Sequence, residues 1–410
     1  MELYKKRISD LGRIVTGKTP RTSNAENYGG KIPFLTPSDD LSGKFAPKTV
    51  KTITELGLSE VRNCLLPSKS VCVSCIGSDL GKVVITNEPT VSNQQFNSII
   101  PTEENDTDFI YYLMTIVGKE LNFLSKTSTA VPIINKSTFA DYEIEMPSLE
   151  NQRRIAKVLS SLDNKIELNK RINDNLEQQA QALFKSWFVD FEPFKDGEFV
   201  ESELGLIPKG WKVQEAQDVF EINIGKTPPR KEQEWFTKNS EDNVWVSIAD
   251  MGICGMFISD SSEYLTNEAI KRFNIQMIEK DSVLLSFKLT VGRVAIADTR
   301  LTTNEAIARF ILPQSYYREF IYLYLKQYKY GNLGSTSSIA TAVNSKTIKG
   351  MKLLIPPSNV ISDFSKTAKP LFDKIALLLK ESRRLAELRD SLLPRLMSGE
   401  LKVNDIENSL

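Results

Sequence analysis

The chain repeats itself, and that repetition limits what it can fold into more than any other feature. Gly-Lys-Thr-Pro stands at Gly17–Pro20 and again at Gly225–Pro228. "PFLTPSD" (Pro33–Asp39) returns at nearly the same offset as "VWVSIAD" (Val244–Asp250). "SVCVSCIGSDLGKVVI" (Ser70–Ile85) returns as "SVLLSFKLTVGRVAI" (Ser282–Ile296) with one residue missing. "SNQQFN" from Ser92 matches "TNEAIA" from Thr303, and "FIYYL" from Phe109 matches "FIYLY" from Phe320. "INKSTFADYEIEMP" from Ile134 matches "VNSKTIKGMKLLIP" from Val343. The segments keep their order and nearly their spacing, as a tandem duplication of roughly 200 residues requires. Whatever one half folds into, the other must fold into as well.

Each half changes period along its length. The first part reads as mixed α/β (α+β): β-branched runs such as "KSVCVSCI" and "GKVVIT" lie between Gly, Pro, Asn and Ser turns. The second part steps by four and three, the spacing of a coiled-coil seam. In the first half that seam is Ile155, Leu159, Leu162, Ile166, Leu176, Leu183 and Trp187, with Asn169, Asn173 and Ala180 completing it. In the second it is Phe364, Ala368, Leu371, Ile375, Leu378, Leu385, Leu392 and Leu396, interrupted by Ser382 and Arg389. The spacing predicts two long helices, packed on each other antiparallel as a spacer between two α/β domains, with the seam asparagines fixing register. The first would run roughly 60 Å. Pro370 is expected to start or kink the main part of the second, because proline cannot complete the backbone ladder in mid-helix. The expected domains are therefore 1–147 and 211–357. Helices span 148–190 and 358–398, a Gly-, Pro- and acid-rich linker spans 191–210, and a tail covers 399–410.

Composition excludes several function classes. The chain has 410 residues and no histidine, which removes histidine-based triads and most zinc sites. Four cysteines in so long a chain make no disulfide framework, and no apolar run spans a bilayer or forms a signal peptide. A cytoplasmic protein is expected. Lys+Arg and Asp+Glu balance at 52 each, so any nucleic-acid surface must be local rather than domain-wide.

"GRIVTGKTP" (Gly12–Pro20) matches the phosphate-loop pattern, which would make the chain an NTPase. A phosphate loop must open into a helix. Here Pro20 follows at once, and the second copy has Phe220 where Gly12 stands, so the repeated element is Gly-Lys-Thr-Pro alone. Cys72 and Cys75 form a lone C-x-x-C whose copy carries Leu284 and Phe287, which marks core positions rather than a metal or redox pair. "IPPS" at Ile355 lacks the acid or amide and the aromatic of an adenine-methyltransferase motif.

What remains are loops with polar and basic side chains at equivalent places. Lys18, Thr19, Ser38, Lys82, Asn93 and Gln94 in one half, and Lys226, Thr227, Ser247, Lys288, Arg293 and Asn304 in the other, are candidate contacts to DNA phosphates or base edges.

These features together resemble the specificity subunit of type I restriction–modification systems. The resemblance is carried by the two "GKTP" motifs, "SFKLTVGRVAI…TNEAIA" and "LGLIPKGW". It is also carried by the block "NQRRIAKVLSSLDNKIELNKRINDNLEQQAQALFKSWF" and by "LRDSLLPRLMSGEL". It covers essentially the whole chain. It implies two target-recognition domains, each reading half of a split double-stranded DNA site, joined by two antiparallel helices. It further implies a non-catalytic chain that docks two methyltransferase subunits and, in the full complex, restriction/translocase subunits. S-adenosylmethionine and ATP with magnesium would belong to those partners, with no cofactor or metal on this chain. One departure is that "NQRRIAKVL" in the first helical block has "VISDFSKTA" as its counterpart, so the two docking faces are not chemically equal.

Overall fold

The computed structural model describes residues 1–77, 79–125, 133–333 and 343–404. The chain divides into two compact units, Met1–Glu167 with Ser382–Leu410, and Leu168–Glu381. Among the described residues no helix is long and apolar enough to cross a membrane.

In unit one an antiparallel sheet runs in the order Gly12–Thr16, Phe96–Pro101, Val71–Ser74, Val83–Ile85. A second, mixed sheet runs Lys51–Ile53, Tyr28–Leu35, Thr90–Ser92, Leu65–Leu66, with the Tyr28–Leu35 and Thr90–Ser92 strands parallel. Strands Val71–Ser74 and Val83–Ile85 are buried on both faces, which is why they read as continuous apolar runs rather than alternation. One face is covered by α1 (Thr107–Ser125), whose Phe109, Ile110 and Met114 are fully buried. The same core takes in Ile155 and Leu159 of α2 (Leu149–Phe188).

Unit two repeats this plan. Its main sheet runs Glu221–Ile224, Ile307–Ile311, Val283–Ser286, Val294–Ala297, Phe257–Ile258. Its second sheet runs Phe236–Thr237, Tyr264–Leu265, Asn243–Val246, Thr302–Thr303. Its covering helix is α3 (Tyr317–Gln327). Only one pairing, Phe45 with Ile85, stands in unit one where unit two has its fifth strand.

The long helices are α2 and α4 (Ser358–Met397). Within each unit they pack antiparallel. In unit one Asp163 of α2 meets Arg389 of α4 at 2.6 Å, while Arg154 reaches Asn404. In unit two Asn169 donates to Glu381 at 2.8 Å, while the Phe188 and Phe364 rings lie 4.8 Å apart. Helix α2 ends where Phe191 takes a left-handed φ of 54° ahead of Pro193, and α4 ends before Gly399 at φ 76°. Every seam residue is buried or half-buried: Ile155, Leu159, Ile375, Leu378 and Leu396 fully, and Leu162, Ile166, Leu176, Leu183, Trp187, Leu371, Leu385 and Leu392 in part. The apolar stripe is wider than the seam, because Phe184, Phe188, Phe372 and Leu393 beside it are also buried. Both helices thus serve two contacts, each other and the sheet domain of their unit.

Two expectations change. Pro370 does not start the second long helix, since α4 begins at Ser358 and runs through it. The proline faces solvent, so water can satisfy the carbonyl one turn back that lost its donor. The stretch expected as a linker, 191–210, is ordered. Phe199–Ser202 and Gly205–Pro208 form a hairpin, and Phe191 and Phe194 stack edge-on against Trp211 at 5.4 and 5.1 Å.

Polar pins hold each sheet domain to its helices. In unit one the buried Lys44 ammonium is 2.7 Å from Asp108 on α1 and donates to Ser160 on α2 at 2.8 Å. In unit two Arg318 bridges Glu319 on α3 and Asp373 on α4, and Tyr322 donates to Glu177 on α2 at 2.9 Å.

Candidate nucleic-acid interface

In unit one, four strands end beside one another: Gly12–Thr16, Tyr28–Leu35, Val71–Ser74 and Thr90–Ser92. Backbone bonds tie the loops that follow. Gly17 N–H donates to Phe96 O (3.1 Å), Lys18 N–H to Ser92 O (2.9 Å), Asn93 N–H to Leu35 O (3.0 Å) and Cys75 N–H to Gln95 O (2.7 Å). Unit two makes the same bonds at the aligned positions. Gly225 N–H donates to Ile307 O (3.2 Å), Lys226 N–H to Thr303 O (2.9 Å), Asn304 N–H to Val246 O (2.9 Å) and Phe287 N–H to Ala306 O (2.9 Å).

This frame explains Gly-Lys-Thr-Pro. A Cβ on Gly17 would lie 2.1 Å from Asn93 O, and one on Gly225 would lie 2.1 Å from Asn304 O. Glycine is required because another backbone passes within contact, which no side chain permits. The proline is buried in both copies and the lysine between is exposed. Thr19 donates to Gln94 Oε1 at 2.6 Å, and Thr227 donates to the Glu305 carboxylate. After Thr19 the chain passes into turns and a short 3-10 segment at Ala25–Asn27, not a helix. Gly12 is extended strand. The phosphate-loop geometry is absent.

Each unit holds a buried carboxylate next to these loops that the sequence reading passed over. Asp39 accepts from Thr36 N–H (2.7 Å), Thr36 hydroxyl (3.0 Å) and Val50 N–H (2.7 Å). Asp250 accepts from Ser247 N–H (2.8 Å), Ser247 hydroxyl (2.6 Å) and Ser262 N–H (3.0 Å). Burial pushes the Asp250 carboxyl up, but the donations from Ser247 and Ser262 outweigh it and hold the carboxyl below its ordinary range. The aligned aspartates in "TPSD" and "SIAD" were a legible signal. Attention to basic and amide groups missed it.

The candidate contacts therefore sort by what already holds them. Lys18, Ser38, Gln94 and Lys288 are exposed. Ser38 lies 2.8 Å from the Thr36 hydroxyl, and the Lys288 ammonium sits 5.8 Å over the Phe287 ring. Lys82, also exposed, pairs with Asp79 at 2.7 Å. Asn93 donates to Gln95 Oε1 at 2.8 Å. In unit two main-chain carbonyls hold two of the basic groups: Lys226 donates to Phe273 O (2.6 Å) and Arg293 to Ile248 O (2.6 Å). Ser247 serves Asp250, and Asn304 accepts from Ala306 N–H (3.1 Å). Arg309, 2% exposed, donates to Gln276 O at 2.7 Å and to Ile224 O at 3.0 Å, bracing the carbonyl that precedes Gly225. Burial lowers its guanidinium to about 10. Its aligned position in unit one is Ser98.

Cys72 and Cys75 are buried, and burial pushes their thiols up to about 12 and about 11. Neither is poised to ionise. Such a frame can hold polar and cationic side chains toward a ligand, and among the described residues it brings together no nucleophile with a base.

Sequence and structure comparisons agree with the twofold plan. The type I restriction modification DNA specificity domain matches twice, over residues 2–178 and 208–384. The chain is 32% identical to the type I restriction enzyme MjaIX specificity subunit of Methanocaldococcus jannaschii, over 98% of this chain and 94% of that protein. It is 27% identical to the HindI specificity subunit of Haemophilus influenzae, over 80% and 83%. The crystal structure of a type I restriction-modification S subunit from M. genitalium superposes with a TM-score of 0.54 at 15% identity, covering 97% of this chain and 96% of that one.

Proposed function

The chain belongs to the type I restriction modification DNA specificity family, and from that premise we propose that it reads a two-part double-stranded DNA target, one half with each unit. It is a specificity subunit and not itself an enzyme. It directs two methyltransferase subunits, and restriction/translocase subunits in the full complex, to the site. S-adenosylmethionine and ATP with magnesium act on those partners, inside a prokaryotic cytoplasm.

The observation that carries this reading is the loop frame built twice from the same backbone bonds with different side chains on it. Phosphate contacts from exposed lysines would set position, and side chains on base edges would set sequence. Two frames with unequal side chains call for two different half-sites separated by unread bases. Paired readers of this kind place half-sites about one helical turn, roughly 34 Å, apart. The long helices act as the spacer. Because cations and anions balance, binding by the chain alone is weak, and it tightens when partners enclose the duplex.

The test is genome-wide adenine-methylation sequencing of the host with and without this gene. Loss of methylation at one split motif is expected. Exchange of residues 1–147 with those of a relative should change one half of that motif and leave the other. An unchanged methylome, with chain and methyltransferase both expressed, would reduce the protein to a scaffold.

A further inference from the structure

In each unit a loop joins the two strands of a buried antiparallel hairpin, Val71–Ser74 with Val83–Ile85 and Val283–Ser286 with Val294–Ala297, and belongs to the loop frame. Among the described residues of the unit-one loop the left-handed positions are glycines, Gly77 at φ 80° and Gly81 at φ 90°. In unit two Gly292 at φ 93° matches Gly81, but the other left-handed residue is Leu289 at φ 60°. Leucine is strained in that conformation, because its Cβ crowds the carbonyl that follows. Its side chain is also fully exposed, at 100%. A glycine there would serve the fold better on both counts.

Three hydrogen bonds hold the loop. Phe287 N–H donates to Ala306 O at 2.9 Å, Ser286 hydroxyl to Thr290 O at 2.6 Å and Gly292 N–H to Ser286 O at 3.0 Å. Exposed Lys288 precedes the leucine, and the Phe287 bond joins the loop to the Asn304 turn, itself bonded to the Lys226 backbone through Thr303. An aliphatic side chain is thus held out beside polar and cationic loop residues. It contributes nothing to the core and costs the backbone strain, which is the pattern of a functional residue.

Building on the DNA-reading proposal above, we propose that Leu289 is a specificity-determining residue of the second unit, packing on the 5-methyl group of a thymine in its half-site while Lys288 meets a flanking phosphate. The thymine methyl is the apolar feature of the major groove, and an aliphatic side chain is its natural partner.

The experiment uses the full chain assembled with its methyltransferase on duplexes carrying the motif found by methylation sequencing. Each thymine of the motif is replaced in turn by deoxyuracil, which differs only by lacking the methyl. At one position the unmodified protein should slow about fourfold, the worth of one buried methyl group. Leu289→Gly should be slower by a similar factor on thymine and indifferent to uracil there, while melting no lower than the parent. Leu289→Gly that methylates at the parental rate, responds to uracil as the parent does, or loses activity together with thermal stability would overturn the assignment. If no split motif is methylated at all, the DNA-reading proposal falls and this one falls with it.

Discussion

The two loop frames differ in what holds their basic side chains. In unit one Lys18 stands exposed, Lys82 pairs with Asp79 and Gln94 accepts from Thr19, over a scaffold of backbone bonds and one buried aspartate. In unit two the aligned lysine is engaged by Phe273 O, Arg293 by Ile248 O, and a buried Arg309 braces the loop from behind where unit one has Ser98. The backbone frame is common to both and the side chains are not. Such a division lets a duplicated domain acquire a second specificity without risk to its fold, since the frame bonds are main-chain and indifferent to side-chain identity.

Four perturbations would break or sharpen that comparison. Leu396→Ala empties a fully buried site in the core of unit one, to which α4 contributes from the far end of the sequence. A loss of about 3 kcal/mol is expected, and hydrogen exchange should show it in unit one while unit two keeps its protection. Gly17→Ala and Gly225→Ala should each cost about 2–3 kcal/mol through backbone collision. Equal losses in thermal melts would show the frames to be mechanically equivalent, and a tolerated alanine in either would break the equivalence.

Asp250→Asn should cost about 1–2 kcal/mol by weakening three accepted bonds. Because the Asp250 carboxyl is held below its ordinary range in the folded state, its contribution is present above the unfolded value of about 3.9 and is lost as pH falls through the folded one. An acid-unfolding curve should therefore flatten at its low-pH end in the variant. Least costly for stability are Lys18→Ala and Lys226→Ala, with melting temperatures near the parent's. Each should lower the salt dependence of DNA binding by about one ion, less so for Lys226 because its ammonium is already bonded. Calorimetry with ATP should show no binding to begin with.

The repeat, the two helices and their seam were legible because periodicity reports burial directly. Leu176 and Leu385 are half-buried where the four-three spacing put them. Pro370 does not start α4, because the cost of a proline depends on whether the freed carbonyl meets water, which a sequence does not state. The hairpin at Phe199–Pro208 escaped notice because its strands are four residues each and its turn chemistry resembles that of a linker. Among candidate contacts, residue type predicted location in the loops but not availability. Nothing local to Lys226 or Arg293 announces that a distant carbonyl holds each one. Conversely, Gly17 looked like phosphate chemistry and proved to be clearance for a passing backbone.

The partition of α4 between the units bears on how the protein is made. Unit two is one continuous stretch, Leu168–Glu381, whereas unit one needs Leu393, Leu396, Met397 and Val403 to cover Ile155 and Leu159. Domains ordinarily fold in the order they leave the ribosome, at about 5–20 residues per second. Here the domain that emerges first is completed last. Its apolar helix face stays uncovered for roughly ten to fifty seconds while the rest of the chain is translated, an interval in which a chaperone, or a methyltransferase subunit already present, would find it open.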